Sequence, residues 1–523
     1  MPDSFRKLIF IIFLLMLNCI PVSIGQSIVN PDSALQIILY NLTGEKLTLS
    51  QAEEYAKENS TSYKQAEARY MASLGSLRRE RGKFDPVFFL NLNYNDQKIP
   101  AASFFSGASV LATQETDFST GLRLDLPIGT KLELALSSSN LKSNSSFAFL
   151  NPEYDAVGSV SLRQPLLEGF TASARKELNQ AELETESYKA GYDQEGLNLN
   201  SAVGQAYWNL YAAERDYAVQ KLTLERAESL LQEAQLRAKA GLIGPNQVAN
   251  AQTFRAEQKL LMIDSEEQLD TQSDKFAVLI GKRPGDDLTR FITTDDPPDE
   301  FADASVDDLV AHTLDNNLDL KAAGKQVEIM KSLAGAAAWQ ALPSVDFVAS
   351  ISSNALGGSA QDVFFGSDTL RSSNSGTYSD VLSEIFKRKY PGWSVGVEIS
   401  LPIGLRTGLG EEDRLEAGLY GAKQSYIELA RSLEQQVRTS YRELVHGNER
   451  IKAAREGVDA AQEQVRIGLI EFKNGRLSAF ELVRLSQDFA VAQQRYSDAL
   501  VKTVKAVSDL TQLTSGYYPG GMQ

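Results

Sequence analysis

Apolar and polar residues alternate one by one along six short stretches of this chain. Phe88, Leu90, Leu92 and Tyr94 alternate with Phe89, Asn91, Asn93 and Asn95, and Leu122, Leu124 and Leu126 with Gly121, Arg123 and Asp125. Leu132, Leu134 and Leu136 alternate with Lys131, Glu133 and Ala135, and Val160 and Leu162 with Ser159, Ser161 and Arg163. Further on, Val345, Phe347, Ala349 and Ile351 oppose Asp346 and Ser350, while Val395, Val397, Ile399 and Leu401 alternate with Gly396, Glu398 and Ser400. A period of two gives each strand one apolar and one polar face. Such strands suit a half-buried soluble sandwich or a membrane barrel with lipid outside and water inside.

Between them the period changes. Pro165 to Gly241 spans 76 residues and Pro402 to Gly475 spans 73, with few helix breakers in either. As helices these stretches would each run about 110 Å at 1.5 Å per residue. Val203, Ala206, Leu210, Ala213, Tyr217, Gln220, Leu224, Ala227, Leu231, Ala234 and Ala238 keep a 3-4 spacing. Ala430, Leu433, Val437, Ser440, Leu444, Gly447, Ile451, Ala454, Val458, Ala461 and Val465 repeat it. That seam is a coiled-coil pattern whose small residues allow close helix approach. Its long helices in company with the alternating strands favour the barrel. Pro86 and Pro343 end helical stretches 50–84 and 305–342 just before strands; Pro165 and Pro402 follow strands and precede the long helices. Proline fits strand ends and first helical turns, so these four mark strand–helix junctions.

The pattern occurs twice. Val203, Tyr207 and Leu210 recur 234 residues later as Val437, Tyr441 and Leu444, and Lys239-Ala240-Gly241-Leu242 as Lys473-Asn474-Gly475-Arg476. A shared offset over a helix and its turn predicts two copies of one unit. The first runs over 26–282, with strands at 86–96, 118–138 and 156–165, a long helix at 166–240, a tip turn at 241–246 and a returning helix. The second runs over 302–515, with strands at 343–352 and 391–402, a long helix at 405–472, a tip turn at 473–478 and a returning helix. A connector at 283–301, rich in Pro, Gly and Asp, reads as a solvated linker, and 516–523 as a tail. Residues 97–116 and 353–390, rich in Gly, Ser, Asn and Asp, read as loops of an outer rim.

Composition changes the picture at the N-terminus. Arg6 and Lys7, the apolar run Leu8 to Leu17 and Ser23-Ile24-Gly25 form a secretory signal peptide, residues 1–25. The run is shorter than the roughly 20 residues a spanning helix needs. Lipidation at Cys19 is disfavoured by Asn18, where a small residue is expected. Beyond residue 25 the chain has no cysteine, and its formal charge moves from −16 to −17, which excludes the basic footprint of a nucleic-acid binder. The two histidines, His312 and His446, lie in different helical stretches. No phosphate-cradling loop or catalytic constellation is visible, so neither an enzyme nor a cofactor is expected.

Gln164-Pro165-Leu166-Leu167-Glu168-Gly169-Phe170, Ala206-Tyr207-Trp208-Asn209-Leu210, Gly281 after Leu279-Ile280, and Leu401-Pro402-Ile403 occur in an order that resembles the TolC family of outer-membrane efflux and secretion channels. Arg237-x3-Gly241-Leu242-Ile243 followed by Val248 resembles that family's periplasmic tip. The resemblance implies a mixed α and β membrane protein: a trimeric outer-membrane β-barrel of 4 to 6 strands per protomer, continued by an α-helical coiled-coil periplasmic barrel. It also implies a homotrimer working with a periplasmic adaptor protein and an inner-membrane pump or ABC exporter. Arg237, Gly241, Leu242, Ile243, Gly475, Arg476 and Leu477 would be the adaptor-docking turns, and Glu471, Lys473, Arg476 and Glu481 gate candidates by position. No cofactor or metal is implied. The family pattern has two strands per half, whereas Pro86 to Pro165 is 79 residues and Pro343 to Pro402 is 59. The first half therefore carries an extra hairpin, residues 118–138, that either joins the barrel or leaves it as a ribbon. A protein secretion duct and a non-channel periplasmic coiled-coil scaffold are the alternatives.

Overall fold

The computed structural model of the chain describes residues 31–285, 288–298 and 305–518. The expected signal peptide lies outside these residues, as do parts of the connector and tail. The first elements are α1 (Pro31–Tyr40), β1 (Glu45–Leu47), α2 (Leu49–Asn59), α3 (Thr61–Gly82), β2 (Val87–Pro100), β3 (Val110–Asp125), β4 (Lys131–Ser143) and β5 (Leu150–Pro165). Next come α4 (Lys176–Lys239), α5 (Pro245–Ile280), β6 (Phe291–Thr293), α6 (Val306–Asn316) and α7 (Leu318–Gln340). The chain continues with β7 (Ser344–Ala360), β8 (Asp362–Phe365), β9 (Asp368–Arg371), α8 (Tyr378–Lys387), β10 (Tyr390–Ser400), α9 (Arg406–Lys473) and α10 (Ala479–Leu513). It divides into two compact units.

The first unit, Ser60–Ser201, Ala304–Tyr441 and Asp509–Gln523, holds a six-stranded antiparallel sheet of order β10-β7-β5-β4-β3-β2. The extra hairpin, β3 with β4, is part of this sheet. The ladder sets the alternating residues in register. Phe88 pairs with Leu122, Leu122 with Leu134, Leu134 with Val160, Val160 with Ile351 and Ile351 with Trp393. One apolar row thus crosses all six strands, and each of its six side chains is exposed, from 44% at Leu122 to 79% at Trp393. On the opposite face the row Arg123, Glu133, Ser161, Ser350 and Ser394 is polar.

Several expected boundaries are corrected. Strand runs to Pro100 rather than 96, begins at Val110 rather than 118 and at Leu150 rather than 156, and reaches Ala360 rather than 352. Residues 97–116 and 353–390 are therefore loop only in part, and the second stretch also holds β8, β9 and α8. Ladder hydrogen bonds come from the backbone, so Ser, Asn and Gly extend a strand without any apolar period. The expected helix at 166–240 begins at Lys176, because Gly169 and Thr171 have φ of +84° and +32°. After Pro402, Gly404 and Leu405 also take positive φ, and α9 starts at Arg406. The stretches 50–84 and 305–342 are each two helices, broken at Ser60 and Asn317. Each of these caps the helix that follows: Ser60 Oγ accepts from Tyr63 N at 3.4 Å, and Asn317 Oδ1 from Leu320 N at 3.1 Å.

The second unit, Met1–Asn59, Ala202–Asp303 and Arg442–Ser508, is mostly helical. Val203 and Leu210 of the seam are fully buried in it, and so is Tyr207 outside the seam, whereas Tyr441, the counterpart of Tyr207 and placed in the sheet unit, is only half-buried. The difference has a local cause. β1 and β6 form a parallel pair, and the Tyr207 hydroxyl donates to Leu47 O at 3.1 Å and Asp295 Oδ2 at 3.0 Å while accepting from Thr294 N at 3.0 Å. Asp295 Oδ2 also accepts from Leu49 N at the start of α2, at 2.7 Å. The connector is thus folded rather than a solvated linker over β6 and Asp295. Tyr207, Trp208, Phe276 and Phe291 stack edge to face around it, centroids 5.2–6.0 Å apart, a geometry that suits aromatic quadrupoles.

Glu214 is 4% exposed and accepts from Thr293 N and Oγ1, both at 2.8 Å. Burial pushes its carboxyl up to about 8, against the pull of those two bonds. A carboxyl raised in the folded state binds its proton more tightly there than in the unfolded chain. Its stabilising effect is therefore complete below about pH 4.5 and lost as pH climbs to about 8. Glu214→Gln should flatten this slope, removing roughly 4 kcal/mol of pH dependence over that window. Urea unfolding of wild type and variant at pH 5 and pH 8 measures it, and equal slopes in the two would contradict the assignment.

Candidate functional site: paired helical turns and a polar sheet face

Both tip turns lie in the helical unit and share one construction. At the end of α4, Gly241 takes φ +72°, Gly241 N donates to Ala238 O at 3.0 Å and Leu242 N to Arg237 O at 2.9 Å. At the end of α9, Gly475 takes φ +71°, Gly475 N donates to Phe472 O at 3.0 Å and Arg476 N to Glu471 O at 2.9 Å. A left-handed residue that closes a helix this way favours glycine, and no other atoms crowd either position. Pro245 then opens α5 at its first helical position. Ser478 opens α10: its N donates to Glu481 Oε2 at 3.3 Å, and Glu481 N donates to Ser478 Oγ at 3.2 Å.

One side chain ties the turns together. Arg237 Nη1 donates to Phe472 O at 2.9 Å, its guanidinium lies 4.3 Å from the centre of the Phe472 ring, and Nη2 pairs with Glu233 at 2.7 Å. Phe472 is itself buried with Ala227, Leu230, Phe254 and Leu482, and Leu477 packs on this cluster. Of the expected docking residues, Arg237 and Leu477 therefore hold the turns in shape. Leu242 (74% exposed) and Arg476 stand outward, and Ile243 is half-buried.

The expected gate set is not one network. Glu481 caps its own helix, and Glu471, Lys473 and Arg476 are exposed, with no ion pair to any of the three among the described residues. The partners Glu233 and Phe472 escaped sequence reading. Their only signal was position, Glu233 one turn before Arg237 and Phe472 three residues before Gly475.

In the sheet unit, Pro86 and Pro343 immediately precede β2 and β7, Pro165 ends β5, and Pro402 follows β10. Near these junctions the polar face carries cross-strand ion pairs: Arg123 to Glu133 at 3.0 Å, and Arg163 to both Asp346 at 2.7 Å and Glu398 at 2.6 Å. His312 stacks on Tyr517 and His446 is exposed. Among the described residues no group of His, Cys, Asp and Glu is arranged to hold a metal, and no helix is long and apolar enough to cross a membrane.

The family model described as "Outer membrane efflux protein" matches residues 309–516. Searching curated proteins gave no match. Among solved structures, the chain is similar to the CmeC outer membrane channel of Campylobacter jejuni, at 13% identity over 90% of this chain and 85% of that one, with a TM-score of 0.61. VceC, an outer membrane protein of Vibrio cholerae, is 16% identical over 90% and 96% of the two chains, with a TM-score of 0.62. The open state of the MtrE outer membrane channel of Neisseria gonorrhoeae is 18% identical over 90% and 89%, with a TM-score of 0.60. At these identities the likeness is one of fold.

Removing the Arg237 tie should loosen both turns. Arg237→Met is expected to raise hydrogen exchange of the amides at 238–242 and 473–477 about tenfold, the loss of one bond to a charged group. Gly475→Val, which forces a branched side chain into the left-handed region, should affect the second turn by about 1–2 kcal/mol and spare the first. Exchange mass spectrometry resolves the two segments.

Proposed function

We propose that this chain, a member of the outer membrane efflux protein family through residues 309–516, is the outer-membrane channel of a tripartite efflux or type I secretion system. The observation that carries this reading is the exposed apolar row across all six strands, backed by a polar face of Ser, Arg and Glu. In water such a face would be a large hydrophobic patch; against lipid it is the outer wall of a barrel.

The sheet has two open edges, β2 and β10, whose side chains are exposed on both faces. Unpaired backbone groups are costly in lipid, so a spanning sheet has to close. The two edges run antiparallel, and a homotrimer in which β2 of one copy meets β10 of the next would close a barrel of three times six, or eighteen, strands. In this assembly the hairpin β3–β4 widens the wall rather than leaving it. The alternative of a periplasmic coiled-coil scaffold leaves the apolar row without a role.

Conduction is passive. Substrate passes from an inner-membrane pump or ABC exporter, through a periplasmic adaptor and the helical part of the trimer, to the outside. The chain supplies a water-filled path and no chemistry, so it acts as a conduit and not as an enzyme. The tip turns, with Leu242 and Arg476 outward, are the surface offered to the adaptor. The two halves, 26–282 and 302–515, act as tandem structural repeats that contribute one turn each.

Leu122→Arg and Leu134→Arg, on the lipid-facing side of the hairpin, should each cost about 2–4 kcal/mol at the bilayer midplane and abolish heat-modifiable trimers in outer-membrane fractions. Ser161→Arg, on the polar face, should leave trimers intact. If all three behaved alike, or if Leu122→Cys and Leu134→Cys in inserted trimers reacted with a water-soluble maleimide, the hairpin would not be part of a lipid-facing wall.

A further inference from the structure

The helix α8 lies on the side of the sheet where lipid is expected, not on the polar side. It opens with a capping box, Thr377 N donating to Asp380 Oδ2 at 2.9 Å and Asp380 N to Thr377 Oγ1 at 3.4 Å. Val381 and Ile385 are buried against Ala156 of β5 and Ala355 of β7, with Leu136 and Tyr154 beside them. Ala156 shares a face with Val160, and Ala355 with Ile351, so the seat belongs to the apolar face. Two glycines make room for it. A Cβ at Gly158 would stand 2.7 Å from Ile385 Cγ2, and one at Gly357 2.6 Å from Val381 Cγ2.

The seat is ten residues along β7 from Val345, which starts the apolar alternation beside Pro343. At about 3.3 Å per residue and a tilt of about 40° this is a height of about 25 Å, that of an apolar barrel band. The helix therefore marks the band's far border, the headgroup level away from the strand–helix junctions. β5 and β7 are interior strands, so a second copy joined at β2 or β10 leaves the seat open.

What α8 presents there is a run of aromatic and basic side chains. Phe386 is 81% exposed, Lys387, Arg388 and Lys389 are exposed, and Trp393, on the apolar face of β10, follows. Lys389 pairs with Glu384 at 2.8 Å, while among the described residues neither Lys387 nor Arg388 is in an ion pair. Aromatic rings at a bilayer border with free cations beside them complement a phosphate on an acyl-chain lipid. Resting on the reading of the sheet as an outer-membrane wall, we propose that α8 and the segment Phe386–Trp393 form a binding surface for a phosphorylated lipid of the outer leaflet. Lys387 and Arg388 hold the phosphate, and Phe386 and Trp393 lie against the acyl chains.

The test uses the full trimer in phosphatidylcholine nanodiscs, titrated with bis-phosphorylated lipid A and, separately, with its dephosphorylated form, retained lipid being counted by native mass spectrometry. Wild type should retain the phosphorylated lipid at least about tenfold better. K387Q/R388Q/K389Q should bring retention to the dephosphorylated level with trimers intact, and Arg388→Lys alone should keep part of the preference. If the triple variant does not assemble, Lys387→Glu serves as the reading. Inserted wild-type trimers that do not distinguish the two lipids, or a neutral variant that still does, would overturn this proposal alone. Failure of wild type to insert as a trimer would overturn the outer-membrane reading and this proposal with it.

Discussion

Backbone pairing governs this molecule more than any side chain does. Six strands satisfy one another across a ladder with one irregularity, between Leu150 and Glu153, yet among the described residues β2 and β10 each keep one row of amide and carbonyl groups without a strand beside it. Water could solvate those rows, but the face that carries Phe88, Leu122, Leu134, Val160, Ile351 and Trp393 is suited to hydrocarbon, where water is absent. The two demands conflict within one copy. They would be reconciled if copies shared edges, and the sheet itself would then supply the interface.

The helical unit meets a different constraint, the burial of polar groups. Tyr207 uses its hydroxyl both as donor and as acceptor, and Asp295 joins that tyrosine to the first amide of α2. An apolar residue in place of Tyr207 would remove the acceptor for the amides of Thr294 and Asp295, and one in place of Asp295 the acceptor for the first amide of α2, at about 0.5–1.5 kcal/mol for each bond. The two halves differ here: among the described residues no such partners are found for Tyr441, which is half-buried. At the turns, one arginine does a comparable job by gripping a carbonyl in the last turn of another helix.

Much of this architecture is legible in the order of the residues. The 3-4 seam marks α4 and α9 because helix burial repeats faithfully along a long rod, and every seam position from Val203 to Ala238 is buried or half-buried. The alternating apolar residues mark each strand toward one of its ends. The opposite ends were not legible, since Ser352, Ser353 and Asn354 pair as well as valines do while carrying no apolar period. The breaks at Ser60 and Asn317 follow from capping, which a polar residue within a helical pattern announces only weakly. Helix α8 was hidden among turn-forming residues, and its apolar pair Val381 and Ile385 becomes meaningful only once Ala156 and Ala355 are seen beneath it. The Arg237 tie joins residues 235 positions apart, a distance over which local pattern says nothing.

The hairpin β3–β4 has a consequence for how a wall of this kind can be resized. Because neighbouring strands alternate in direction, inserting a single strand would leave the two margins of the sheet pointing the same way, and a ring of identical copies could no longer mate antiparallel all round. Growth must come in up-and-down couples, so a threefold ring gains or loses strands by sixes. Were copies of this sheet to close a duct, its bore would be a stepped quantity, set by how many such couples each gene copy encodes.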